Sequence, residues 1–376
     1  MAEPPTDRFR ILSVDGGGIR GLIPALVIAD LERRLRERGG ERARISDYFH
    51  LFAGTSTGGL IALALTAPDP AEPGRPRVSA TELAGFYVED GPRIFRRSLL
   101  QKLRTLWGYA GPKYSLGPLA EAVHRRLGDV GLAAAVREVV VASYDMAGRE
   151  PFFFKRWRAR EPVGPSDPAR EARNHPIVDA ALATAAAPTY FPSHELGGRV
   201  LVDGGVFANN PSVAAITEAL KRTGAGRIEC DDLLVVSIGT GVHEEGFDQR
   251  TVSGWGKIGW ILPHRAEPPI LGAVLDGASD GADHWAHMLL NHDPGAPAPG
   301  RAAIGRGPRY YRLQIRLEEA IALDDACEEV LARALPAAAR ALIADRESEL
   351  DEIADRLIAA GPLDPDPQPM PVSDEL

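Results

Sequence analysis

Twice within the first 65 residues a short apolar run stops at a glycine-rich turn and leads into a helix, and this repeat limits the fold more than any other feature. Phe9-Arg-Ile-Leu-Ser-Val14 ends in Asp15-Gly16-Gly17-Gly18. From Leu22 to about Arg38, apolar residues then recur at helical spacing until Gly39-Gly40 stops them. Tyr48 to Ala53 forms the second run, followed by Gly54-Thr55-Ser56-Thr57-Gly58 and a helical Leu60 to Leu65. Alternation of this kind predicts an α/β fold with a mostly parallel central sheet. Strands are expected at Arg137–Ser143, Phe152–Lys155, Val200–Val202, Leu233–Ile238 and Tyr310–Ile315. Helices are expected at Thr81–Asp90, Leu116–Leu127, Val178–Ala186 and Ser212–Arg222. After Leu323 the chain becomes Ala/Glu/Arg-rich and helical to about Ala360, and from Pro362 it is Pro- and Asp-rich, the composition of a disordered tail.

Charge and cysteine content narrow the function classes. A formal net charge of -9 over 376 residues argues against a nucleic-acid polymer as partner, since such binding relies on neutralising phosphates. Cys230 and Cys327 cannot build a disulfide framework and read as free thiols. The N-terminus lacks the basic start and apolar run of a signal peptide, and no apolar stretch reaches the ~20 residues of a membrane span. Without a signal peptide, the terminal Ser373-Asp-Glu-Leu376 has no retention role. A cytosolic protein is expected.

Three glycine-flanked motifs carry the chemistry. In Gly54-Thr55-Ser56-Thr57-Gly58 a serine sits between strand and helix, where a strained turn exposes its hydroxyl. Gly54 and Gly58 keep that turn clear of side chains, and the helix start favours developing negative charge. Read as a plain loop, the same pattern would be common. Gly16-Gly17-Gly18-Ile19-Arg20-Gly21 can aim several N–H groups at one point, with Arg20 adding positive charge, as an oxyanion hole requires. The same letters satisfy a dinucleotide fingerprint. The acidic residue that fingerprint needs would fall between Asp30 and Glu41, in and just after a helix, rather than closing a second strand. Finally, Arg199-Val-Leu-Val-Asp203-Gly204-Gly205 places a carboxylate at a strand end. Asp203 reads either as a turn aspartate or as a partner for Ser56.

None of the nine histidines, His50, His124, His175, His194, His243, His264, His284, His287 and His292, sits in a comparable context. A triad of Ser56, Asp203 and His243 or a later histidine is the alternative to a two-residue site. His284 and His287 share a helix face but lack a third ligand, so neither a metal nor any other cofactor is required.

Together the three motifs resemble the patatin-like phospholipases. Asp15 to Gly21 is similar to that family's oxyanion loop, Gly54 to Gly58 to its nucleophile elbow, and Asp203-Gly204-Gly205 to its aspartate motif. Ala186-Ala-Pro-Thr-Tyr-Phe-Pro192, Asn209-Asn-Pro211 and Ser237-Ile-Gly-Thr-Gly241 also look familiar. The resemblance implies a three-layer α/β/α sandwich over residues 1–322, with its motifs within 9–241, a helical segment over 323–361 and a tail over 362–376. It implies a lipid acyl hydrolase with catalytic Ser56 and Asp203, and an oxyanion hole built from Gly17 and Gly18 with help from Gly16 and Arg20. The substrate would be a phospholipid or lysophospholipid. Bacterial phospholipases of this build also serve antiphage signalling, which raises the expectations of a cyclic-oligonucleotide activator and of a homo-oligomer. A storage or binding protein of the same fold is the non-enzymatic alternative.

Two segments could bring such a protein to lipid. Arg93, Arg96, Arg97, Lys102, Arg104 and Lys113 interleave with Phe95, Leu99, Leu100, Leu103, Leu106, Trp107 and Tyr109 in a stretch free of acidic residues. This reads either as a cap helix or as a transient contact with the inner membrane surface. Trp255 to Pro263 is expected to pack its tryptophans into the core, with a lid as the alternative.

Overall fold

A computed structural model describes residues 7–72, 74–96, 111–161, 173–221, 227–243, 246–262, 267–291 and 308–364. Eight strands form one sheet: β1 (Phe9–Val14), β2 (Leu51–Thr55), β3 (Glu138–Asp145), β4 (Glu150–Lys155), β5 (His194–Leu196), β6 (Arg199–Asp203), β7 (Leu233–Ile238) and β8 (Tyr310–Leu313). They lie in the order β5-β6-β3-β2-β1-β7-β8, with β4 also on β3. β3, β2, β1, β7 and β8 run parallel, while β4, β5 and β6 are antiparallel to their neighbours. The principal helices are α1 (Leu22–Gly39), α2 (Thr57–Ala64), α3 (Ala80–Gly85), α4 (Gly117–Leu127), α5 (Ile177–Thr184), α6 (Ser212–Leu220), α7 (Pro269–Asn291), α8 (Leu335–Asp345) and α9 (Glu347–Ala360).

The three layers follow from the two-residue period of the strands. Leu12 and Val14 of β1, with Val139 and Val141 of β3 and Leu234 and Val236 of β7, join the core formed by α1, α2, α4, α5, α8 and α9. Phe9, Ile11, Val140, Leu233 and Val235 point the other way, onto α6 and α7. Because both faces are covered, β1 and β7 are buried throughout, and their sequences are nearly continuous apolar runs. Among the described residues no helix is long and apolar enough to cross a membrane.

Two features differ from the sequence reading. α7, 23 residues long, is not foreseen as a unit: its outer face carries Ile270, Val274, Trp285, Met288 and Leu289 exposed, so its apolar pattern lacks the one-sided stripe of a surface helix. The expected C-terminal helices are present, and their Leu335, Leu342, Leu350, Ile353 and Leu357 enter the same core as α1. The start of the supposed disordered tail is docked: the Leu363 amide donates to Asp47 O at 2.7 Å, and the buried Arg137 guanidinium donates to Asp364 O at 2.8 Å. Residues 365–376 lie outside the described ones.

Sheet register brings two distant motifs together. Along one edge β3 pairs with β2 as far as Ala142 opposite Thr55. Its next residue, Ser143, is opposite Asp203 of β6. β4 occupies the other edge of β3 through this stretch, so β6 takes over where β2 stops. The chain therefore leaves the sheet at Ser56 on the rung beside the one where Asp203 arrives.

Candidate active site

Ser56 joins β2 to α2 with φ at 53°, in the left-handed region that side chains other than glycine avoid. Such a conformation costs about 1–3 kcal/mol and persists only where its surroundings enforce it. Here they do. The Ser56 amide donates to Thr184 Oγ1 at 2.8 Å, and that hydroxyl donates in turn to Ala142 O. A Cβ at Gly54 would lie 2.1 Å from Gly58 O, and one at Gly58 would lie 2.1 Å from Val14 O. Both flanking positions must be glycine for the turn to close.

Asp203 is buried, its amide donating to Ala186 O at 3.0 Å. Its carboxylate accepts the Gly205 amide at 2.8 Å and lines the same cavity as the Ser56 side chain, which favours its ionised form. Burial pushes the carboxyl up to about 6, against the pull of the Ser56 side chain and the Gly205 amide. A carboxylate so placed is a stronger base than one in water, yet it is still ionised at neutral pH.

The glycine loop divides into engaged and free amides. Asp15 N–H goes to Ile238 O, Gly16 N–H to Asn209 O at 2.9 Å, Ile19 N–H to Leu323 O and Arg20 N–H to Gly17 O. The Gly17 and Gly18 amides find no partner among the described residues, and both glycines line the cavity that holds Ser56 and Asp203. Of the four residues expected to hold an oxyanion, the structure brings Gly17 and Gly18 to the site. It does not bring the Gly16 amide, which Asn209 has taken. Nor does it bring Arg20, whose side chain turns into a neighbouring cavity to meet Glu267 at 3.6 Å.

Residues without an assigned role in the sequence hold this loop. Arg312 of β8 grips Asp15 with two hydrogen bonds, at 2.8 and 2.6 Å, and reaches Ser237 Oγ at 2.9 Å. Burial alone would pull the Arg312 guanidinium down, but Asp15 more than reverses this, while burial raises the Asp15 carboxyl against the pull of Arg312. Thr240 Oγ1 donates to Gly16 O at 2.8 Å. Asn209, Ser237 and Thr240 fall within segments quoted above as familiar, so a signal existed for them. Arg312 had none. Removing one partner of a buried ion pair typically costs about 3–5 kcal/mol. Arg312→Met should therefore lower the unfolding free energy by about that much in chemical denaturation, and Asp15→Asn added to it should restore part of the loss.

The cavity and its opening to solvent together span about 810 Å³. Beyond the polar groups above, its wall is largely apolar: Leu60, Phe86, Ile94, Phe95, Phe191, Leu271, Leu275 and Leu323. No histidine lines it, and His243 sits in the neighbouring cavity with its ring nitrogen 3.3 Å from Leu317 O. The proposed triad partner is thus not at the site. His264 and His292 lie outside the described residues. His284 and His287 are on α7, and no group of three metal-ligating side chains occurs among the described residues.

Comparison with known proteins gives the family. The family model described as patatin-like phospholipase matches residues 12–216, a span that holds both Ser56 and Asp203. The chain belongs to the patatin-like phospholipase family. Patatin-like protein 2 of Arabidopsis thaliana is 40% identical over 312 residues, covering 75% of this chain and 72% of the relative. Patatin-07 of Solanum tuberosum is 32% identical over 274 residues, covering 67% of this chain and 66% of the relative. VipD of Legionella pneumophila aligns over 90% of this chain and 67% of its own at a TM-score of 0.35 and 10% identity, a likeness that carries no argument. Patatin-like membership supports activity as a lipid acyl hydrolase.

Proposed function

We propose that this protein hydrolyses carboxylic ester bonds of phospholipids or lysophospholipids through a Ser56–Asp203 dyad. The observation that carries the reading is the buried Asp203 carboxylate under the influence of the Ser56 side chain, both lining one cavity walled by apolar side chains. The acyl chain occupies that cavity, where burying each methylene is worth ~0.8 kcal/mol. Asp203 takes the proton of Ser56 as the hydroxyl oxygen bonds to the ester carbonyl carbon. The Gly17 and Gly18 amides stabilise the negative oxygen that results. Collapse of this intermediate expels the alcohol or lysolipid, which leaves with the proton from Asp203. Water, deprotonated by the same carboxylate, then frees the fatty acid and restores Ser56.

Gly18 tests the oxyanion assignment. It has φ of 57°, and a Cβ there would lie 2.2 Å from Leu323 O. Gly18→Ala must shift the loop, and kcat should fall by ~10²–10³ with circular dichroism unchanged.

The enzyme works at a lipid surface. Ile258, Ile261, Ile270 and Val274 are exposed close to Leu271 and Leu275 of the cavity wall, so lipid can meet an apolar approach. Trp255 and Trp260 pack on each other, with ring centroids 5.2 Å apart, and Trp255 packs on Phe247. No residue of 246–262 is buried, so the expected core packing of these tryptophans is replaced by a surface cluster against α7. Such short segments, rich in glycine and polar residues around the rings, have too little apolar length to enter the core. The basic stretch read as a membrane contact lies mostly at residues 97–110, outside the described ones. Within its described part, Lys113 pairs with Asp324, and Phe95 lines the cavity.

Mass spectrometry of products from a mixed-lipid extract tests the proposal. Fatty acid and lysolipid should accumulate with wild type and not with Ser56→Ala. Adding cyclic dinucleotides to the same assay tests the gated reading, and undiminished turnover without them counts against it.

A further inference from the structure

Beside the catalytic cavity lies a second, open one of about 1240 Å³ including its opening to solvent, whose lining the hydrolytic mechanism does not use. Three elements contribute to both spaces. The glycine loop places Gly17 and Gly18 in the first and Arg20 in the second. α7 puts Leu271 and Leu275 in the first, and Gly272 and Asp276 in the second. The segment before α8 gives Leu323 to the first and Ile321 to the second. A ligand whose reacting carbonyl lies at Ser56 therefore has its non-acyl end within reach of the second space.

The chemistry of this second cavity is mixed. Trp255 and Trp260 form an edge-to-face pair, 5.2 Å between centroids with planes at 79°, and both line the cavity together with Phe247. Glu267 and Asp276 bring two carboxylates, against one guanidinium from Arg20. That guanidinium is only partly used: it meets Glu267 at 3.6 Å, and its buried Nε makes no hydrogen bond. Burial raises both carboxyls above their usual range, and each also feels another acidic group, so a bound cation would relieve them. Aromatic faces beside carboxylates suit a cation that cannot donate hydrogen bonds, because such a cation gains from the ring quadrupole without leaving donors unpaired. The unused Arg20 donor suits an anion one short spacer away.

We infer that the Arg20–Glu267–Asp276 cavity, with the Trp255–Trp260 pair as its wall, is a head-group subsite for a phosphocholine lipid. The phosphate meets Arg20, and the quaternary ammonium lies between the tryptophans and the two carboxylates. The inference rests on the reading of the first cavity as the acyl site, and it adds a head-group preference to that reading. An anionic head group without a cation would keep the contact of its phosphate with Arg20 but leave the carboxylates of Glu267 and Asp276 without a counter-charge.

The test compares kcat/KM on phosphatidylcholine, phosphatidylethanolamine and phosphatidylglycerol of identical acyl chains in the same neutral detergent micelles. A p-nitrophenyl ester of the same acid serves as a substrate without a head group. Wild type should favour choline over glycerol lipid by about tenfold, the range open to a cation on aromatic faces, with ethanolamine between them. Glu267→Gln should collapse the choline-to-glycerol ratio through a higher KM on the choline lipid. Equal rates on the three lipids, a preference for glycerol or ethanolamine, or an equal loss on all three in Glu267→Gln would overturn the subsite. Failure of wild type on the p-nitrophenyl ester and all three lipids would instead overturn the acyl-hydrolase reading.

Discussion

Ser56→Ala is expected to lower kcat on a long-chain ester by ~10⁴-fold or more, the scale on which hydrolases lose activity when their nucleophile is removed. No other group in the cavity can replace it. The Tyr87 and Tyr190 hydroxyls are both pushed up by burial, which keeps them neutral, and Thr57 Oγ1 is already bonded to Tyr87. The fold should survive, because the turn is enforced by Gly54, Gly58 and Thr184 rather than by the serine hydroxyl. Steady-state kinetics with purified protein, alongside a melting curve, checks both halves. A variant that keeps a tenth of the wild-type rate would remove Ser56 from the mechanism.

The second large effect combines activity with stability. Asp203→Asn preserves the acceptor for the Gly205 amide but removes the base, so kcat should fall by ~10²–10⁴. The same change should stabilise the protein at neutral pH. The folded carboxyl titrates near 6, against 3.8 in an exposed chain. A folded value above the unfolded one means a contribution to stability that is complete below 3.8 and lost as pH rises through about 6. At pH 8 the wild type therefore keeps an ionised buried carboxylate at a cost of about 3 kcal/mol. The uncharged amide of the variant escapes that cost. Urea denaturation should show the variant more stable by about that amount at pH 8, with the gap closing toward pH 4. Wild-type kcat/KM should mirror this, level above pH 7 and falling as Asp203 is protonated. Sites that trade stability for reactivity behave in this way.

Much of the central sheet is legible because buried parallel strands leave little freedom in sequence. Phe9–Val14 and Leu233–Ile238 are observed with the boundaries read from their apolar runs. The strand His194–Leu196 gives no such signal, since three residues on a sheet edge, none of them buried, are too few to show a period. α7 escapes for the opposite reason, as its apolar residues surround the axis and mix with three glycines. At the site, Ser56 and Asp203 are marked because glycines announce a backbone that must turn sharply. What glycine cannot announce is the direction in which each amide points. Gly16 and Gly17 are indistinguishable as letters, and only the Asn209 carbonyl separates their roles. The fate of Arg20 is equally hidden, decided by Glu267 far along the chain.

Labelling with a fluorophosphonate, which reports the nucleophile by forming a stable bond to it, tests the account most directly. Intact-mass and peptide analysis should find one adduct, on Ser56, absent from Ser56→Ala. Its rate should rise with pH around a midpoint near 6 and drop at least a hundredfold in Asp203→Asn. An adduct on another residue, or labelling of Ser56 at the wild-type rate in Asp203→Asn, would contradict the account.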